Sequence, residues 1–394
     1  MRVLFYLPVV TSWWFDNIVE PLIRCVASVA EVHVLAPAPW RNTGLGPAEL
    51  GRCVDLPNVH WAIVDSGDHA SLRTVPADRE GLIAYVRSLA PDLVLCRSAD
   101  FDTPQAFPGV VRYIMEAVTA PFDLVSPANT VHFTEAPFVN GFLPTLPDAD
   151  AARLDALIAP AWADMQAYWR EACGEREDVF RVLGLDTGRP AFLLPLEYEH
   201  EENFYLQHRP GSRSSRELVA QAAAAVKGIG TLVVTDHPLN AQHVDRDAFY
   251  DFLATLDNVV LVEDPVWDTP PTIALARHVD GALLHDSKSF ALAAAFGVPM
   301  RRHSRFASAP WLHDGAELSA FVRAVAAGTA MRPEEAMVRR WFGYHLANEA
   351  FYPTDPTLTG AMVIDRAMRP VDPGRWQAGI GRVQFRNPLV EDAA

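Results

Sequence analysis

The chain has 394 residues, half of them hydrophobic and 21% charged, with a formal net charge of −16. That length divides naturally into two folded domains, and the acidic balance excludes a general nucleic-acid binder, which would carry an excess of Lys and Arg. The four cysteines (Cys25, Cys53, Cys96 and Cys173) are far apart and show no Cys-x-x-Cys spacing, a pattern of reduced, buried thiols in a cytoplasmic protein rather than of a disulfide or zinc framework.

The apolar opening from Met1 to Pro8 reads as a first strand, Val3–Val9, because Pro8 and then Trp13-Trp14-Phe15-Asp16 break the run and no small-residue cleavage site follows. No apolar stretch is long enough to span a bilayer. Peripheral contact with the inner face of a membrane is left open. Further strands are expected at Glu31–Ala36, His60–Val64, Leu93–Cys96, Val110–Met115 and Thr130–Phe133, with helices at Phe15–Val29 and Gly81–Leu89. Strands and helices alternating at this spacing imply a parallel sheet covered on both faces. A long Ala-rich helix follows from Asp148 to Cys173, and Asp186-Thr187-Gly188-Arg189-Pro190 is a turn cluster.

The α/β rhythm then restarts, with strands at Phe192–Leu196, Thr231–Thr235, Val259–Val262 and Gly281–Leu284. Helices are expected at Ser214–Lys227, Arg246–Leu256, Thr272–His278 and Ser287–Phe296, and two more at Glu317–Ala327 and Pro333–Ala350. The fold class is α/β, with two doubly wound domains facing across a cleft. The expected boundaries are 1–175 for an acceptor-side domain, 176–345 for a nucleotide-binding domain and 346–394 for a C-terminal extension.

In open α/β sheets ligands lie beyond the carboxyl ends of the strands. Two motifs fall there, Asp236-His237-Pro238-Leu239 after one strand and His285-Asp286-Ser287-Lys288-Ser289 after another. Pro238 biases His237 toward an extended backbone, which would aim the imidazole at a phosphate. Ser287 and Ser289 at a helix start suit a phosphate too, with Lys288 adding charge. The bland alternatives are a loop histidine, ordinary serine caps and an exposed lysine. Arg301, Arg302 and Arg305 would reach a second phosphate if they turn inward. Glu197, Glu199, Glu201 and Glu202 form an acidic loop, of which Glu197 is near enough to the strand end to touch substrate. Glu135 and Glu116, each at a strand end, are rival candidates for a general base. His200 and His208 read as loop residues. No cluster has metal-ligand spacing, and no nucleotide-binding glycine loop or serine-hydrolase elbow is present, so neither a metal nor a cofactor is expected.

Three segments, Leu193-Leu194-Pro195-Leu196-Glu197, Asp236-His237-Pro238-Leu239 and Ser287-Lys288-Ser289 through Pro299, together resemble the capsule polysaccharide biosynthesis glycosyltransferases, which include bacterial Kdo transferases. The likeness covers roughly residues 130 to 300. It implies a GT-B architecture, a CMP-activated acidic sugar as donor and a saccharide or glycolipid acceptor. His237, Pro238, Ser287, Lys288 and Ser289 would meet the nucleotide phosphate, and Glu135 would act as base. The chain departs from the family pattern at Glu135-Ala136, where Glu-Gly is expected, and at Glu197, where a glutamine is common. Two rival readings are a sugar-nucleotide epimerase and a non-catalytic sugar-nucleotide-binding protein.

Overall fold

The computed structural model describes residues 1–40, 43–64, 76–97, 99–122, 129–199, 209–211 and 214–383. Contacts divide the chain into two compact units. The first comprises Met1–Ala117, Val125–Pro137 and Tyr344–Arg382; the second comprises Val118–Leu124, Phe138–Gly343 and Val383–Ala394. The long helix Asp148–Ala172 therefore belongs to the second unit, and most of the segment after residue 343 to the first, where the sequence set its boundaries at 175 and 345.

In the first unit six strands form one sheet: β1 (Arg2–Tyr6), β2 (Glu31–Pro37), β3 (Val59–Val64), β4 (Leu93–Arg97), β5 (Val110–Glu116) and β6 (Val131–Thr134), in the order β3-β2-β1-β4-β5-β6. β1 lies inside the sheet, and Val3, Leu4 and Phe5 are wholly buried. That is why its sequence reads as a continuous apolar run rather than an alternation. Helix Glu20–Ala27 buries Leu22, Ile23 and Val26 and packs on helix Gly360–Met368. A Cβ at Gly360 would collide with the Cys25 carbonyl, so only glycine permits that approach.

The first five strands are parallel, whereas β6 runs antiparallel to β5, pairing Tyr113 with Thr134 and Glu116 with Val131. This corrects the wholly parallel sheet expected from sequence. The connection from Ala117 to Thr130 carries Pro121 and Pro127, residues that disfavour the helical crossover that a parallel neighbour usually needs.

The second unit holds a wholly parallel five-stranded sheet of β7 (Ala191–Pro195), β8 (Thr231–Thr235), β9 (Val259–Val262), β10 (Gly281–Leu284) and β11 (Met300–Arg302), in the order β11-β10-β7-β8-β9. Helix Ser215–Val226, capped by the Ser214 side chain, packs its Val219, Ala222 and Val226 into the core of this sheet. The fold class is the α/β one expected, with a doubly wound, Rossmann-like arrangement in each unit. Among the described residues, no helix is long and apolar enough to cross a membrane.

Candidate active site

The strand order places a topological switch in the second unit. From β7 the chain builds outward through β8 and β9, then returns to lay β10 and β11 on the other side of β7. The crevice between β7 and β10, beyond the strand carboxyl ends, is where such sheets bind ligands. The three loops leaving β7, β8 and β10 begin with Leu196-Glu197, Asp236-His237 and His285-Asp286-Ser287, so both motifs singled out in the sequence stand at that edge.

Hydrogen bonds tie these loops into one assembly. Asn240 Nδ2 donates to the Glu197 carbonyl at 3.1 Å and to Asp236 Oδ1 at 2.6 Å. The Asp286 N–H donates to Glu197 Oε1 at 2.6 Å. Glu197 therefore bridges the histidine loop and the serine loop.

His237 has φ −75° and ψ 132°, the extended conformation that the following proline favours, and it caps helix Pro238–His243. Its Nδ1 accepts from the Leu239 N–H at 3.2 Å. An imidazole nitrogen that accepts carries no proton, so the neutral ring bears its proton on Nε2 and presents a donor there. The Tyr198 ring lies 5.8 Å away, centroid to centroid. Pro238 is exposed.

Ser287 and Ser289 are half-buried and Lys288 is exposed. The Ser287 hydroxyl donates to Ser289 Oγ at 2.9 Å and accepts from the Ser289 N–H at 3.2 Å. The two hydroxyls thus share one turn ahead of helix Phe290–Ala295, whose six residues are all buried.

Beneath the loops three arginines pair with four carboxylates, which the sequence reading did not find. Arg209 Nε and Nη2 both reach Glu197 Oε2, at 2.9 and 2.6 Å. Arg246 grips Asp236 with Nε at 2.8 Å and Nη2 at 2.7 Å, and reaches Glu199 with Nη1 at 2.8 Å. Arg302 Nη2 meets Asp286 Oδ1 at 2.6 Å. Within the acidic loop Glu197 and Glu199 are held by nearly buried arginines; Glu201, Glu202, His200 and His208 lie outside the described residues. With Oε2 on Arg209 and Oε1 on the Asp286 N–H, the Glu197 carboxylate shapes the site. Arg302 does turn inward, but onto Asp286 and the carbonyls of His285, Phe306, Ala307 and Phe138. Arg301 donates to the Ala316 carbonyl, and Arg305 is exposed over the Phe306 ring. The pattern that could have revealed the pairs is the carboxylate placed one or two residues past each of three strands. Such charges go underground only with partners. Next to them His285 is buried, which lowers its pKa from the ordinary 6.5 to about 3, with Arg209 and His303 pushing the same way. It is a neutral packing residue at pH 7.

The first unit has its own switch, between β1 and β4. The chain leaves β1 into a turn at Thr11–Trp14 and a π-helical segment, Phe15–Val19. Trp14 lies under the Arg97 guanidinium at 3.5 Å, and its Nε1 donates to Glu116 Oε1 at 3.3 Å. Ser12 Oγ donates to Glu49 Oε1 at 3.0 Å. Asp100, fully buried, accepts from the Tyr6 hydroxyl at 2.9 Å, and burial raises its pKa. Glu116 thus stands at the carboxyl edge of the parallel strands. Glu135 does not: β6 is antiparallel, so its end returns to the amino-terminal edge, where the exposed Glu135 carboxylate pairs with Arg112 at 3.1 Å.

No protein-family model matches this chain, and no curated protein sequence matches it. Solved structures of similar chain course include a β-Kdo 2,7-transferase, KpsC, from Thermosulfurimonas dismutans, with 10% identity over 94% of this chain and 99% of that chain and a TM-score of 0.45. The lipopolysaccharide outer core galactosyltransferase WaaB has 11% identity, covering 94% and 100%, with a TM-score of 0.36. The UDP-GlcNAc 2-epimerase of Methanocaldococcus jannaschii has 11% identity, covering 94% and 100%, with a TM-score of 0.33. With TM-scores under 0.5 none of these bears on function, which has to be read from the residues.

Proposed function

We propose that this chain is a glycosyltransferase whose second unit holds a nucleotide-activated sugar, with a CMP-linked acidic sugar such as Kdo as donor, and whose first unit takes a saccharide or glycolipid acceptor. The observation that carries the reading is His237. Its Nδ1 is fixed by the Leu239 N–H, so Nε2–H is a preset donor at the carboxyl edge of the sheet, on a loop bridged through Glu197 to the Ser287/Ser289 turn. A donor in place before the reaction, aimed where charge develops on a departing phosphate, is what transfer from a sugar nucleotide requires. Ser287 and Ser289 add hydroxyls and Lys288 adds charge. Among the described residues, the carboxylates of Glu197, Glu199, Asp236 and Asp286 at this edge are each paired with an arginine. That pairing supports the reading that the transfer is metal-independent.

The same inventory favours a monophosphate leaving group. A diphosphate carries more charge, and Arg302, the best placed extra cation, is committed to Asp286 and five other acceptors. In thermal-shift titrations containing EDTA, CMP is expected to raise the melting temperature at lower concentration than UDP or GDP. Ser287→Ala and Ser289→Ala are expected to blunt the response. A strong UDP or GDP shift with none for CMP would overturn the donor assignment.

The acceptor base is assigned to Glu116, the rival that lies at the ligand edge of its sheet. Glu116→Gln is expected to lower kcat about 100-fold and to flatten the acid limb of the pH–rate profile, while Glu135→Gln stays near wild type. The opposite pair of results would return the role to Glu135.

A further inference from the structure

At the amino-terminal edge of the first sheet, remote within that sheet from its switch point, three side chains converge from two neighbouring strands. Glu31 and His33 are alternate residues of β2 and so share a face. His60 on β3 is the register partner of His33, and the two imidazoles stack with centroids 4.7 Å apart. His33 Nε2 lies 2.8 Å and His60 Nε2 3.9 Å from Glu31 Oε1, and one ligand atom from each residue falls within 4.8 Å of the others.

The geometry points to a divalent transition-metal site, of the zinc class, formed by Glu31, His33 and His60. Two imidazoles and one carboxylate are a ligand set zinc uses, and bonds of about 2.0–2.2 Å in a tetrahedron put the donor atoms about 3.4 Å apart. The observed 2.8 and 3.9 Å from Glu31 Oε1 bracket that separation and the third pair of ligand atoms lies within 4.8 Å, so side-chain rotations would bring all three onto one ion. The ion would take the place of the His33–Glu31 hydrogen bond. Arg2 lies against the cluster, with Nε 3.2 Å from Oε1 and Nη2 3.3 Å from Oε2 of Glu31. Its other nitrogen, Nη1, is anchored on the Leu89 carbonyl. Arg2 can keep Oε2 and orient the carboxylate while Oε1 turns to the ion, the usual part of an outer partner at a metal site. His60 is 56% exposed at its side chain, which leaves an open approach and a fourth position for water. The ion would clip β2 to β3 and has no part in the transfer chemistry proposed above.

The full chain, stripped with EDTA and dialysed, is titrated with Zn²⁺ by calorimetry and with Co²⁺ by visible absorption. One strong site per chain is expected, with the intense d–d bands of low-coordinate cobalt. His60→Ala, at an exposed position that leaves the fold intact, and Glu31→Gln are each expected to weaken binding at least tenfold and to erase the bands. Failure of the wild-type chain to take up zinc, or uptake equal in both variants, would overturn the site.

Discussion

Replacing Arg302 with alanine is expected to destabilise the second unit by about 3–5 kcal/mol, the cost of stranding a buried charge. The side chains of Arg302 and Asp286 are 2% and 5% exposed. The arginine also ties down the carbonyls of Phe138, His285, Phe306 and Ala307 and the Ser308 hydroxyl. The buried bond to the His285 carbonyl is lost with the guanidinium, which adds to the cost. Lysine keeps the charge but lacks the planar fork, and Arg302→Lys should recover only part of the difference. Urea melts would measure both. The double variant Arg302→Met with Asp286→Leu separates the causes, because removing both charges should cost less than removing one. A loss under 1 kcal/mol in Arg302→Ala would mean that the pair behaves as a solvated surface bridge. The prediction bears on function because Asp286 immediately precedes Ser287, and a loosened Asp286 would release the serine turn.

The strands were legible because parallel strands are buried on both faces, so segments such as Phe192–Leu196 and Gly281–Leu284 stand out as apolar blocks beside their turns. Strand direction was not. Local sequence at Val131–Thr134 is the same whether the strand runs with or against β5, and the direction decides which edge receives Glu135. His237 and the serine pair were legible because their positions follow from strand ends alone. Their supports were not: Arg209 stands 12 residues beyond Glu197 and Arg246 10 beyond Asp236, and at such separations pairing depends on the folded path of the chain between. The Glu31, His33 and His60 cluster was hidden for the same reason: His33 meets His60 only through the β2–β3 register. What a sequence shows by local chemistry survives folding, and what depends on register or on chain return appears only in three dimensions.

His237→Ala is expected to reduce turnover about 100-fold, the loss typical when one preset donor to developing charge is removed. The alanine variant alone is ambiguous, because the imidazole also caps helix Pro238–His243, and losing a cap costs about 1 kcal/mol of stability. Two further substitutions divide the roles. Asparagine places its carbonyl oxygen near the position of Nδ1, so His237→Asn should keep the bond from the Leu239 N–H and with it the melting temperature. It has no donor reaching as far as Nε2, and its turnover should fall with that of alanine. Glutamine has the opposite fit: its longer amide reaches the Nε2 position and donates there, so His237→Gln should regain part of the turnover with no gain in capping. Steady-state kinetics beside thermal melts read both properties for all three variants. The donor role predicts low kcat in Asn with wild-type stability, and higher kcat in Gln than in Asn. If His237→Asn turns over at the wild-type rate, His237 is a helix cap and the phosphate must be met elsewhere.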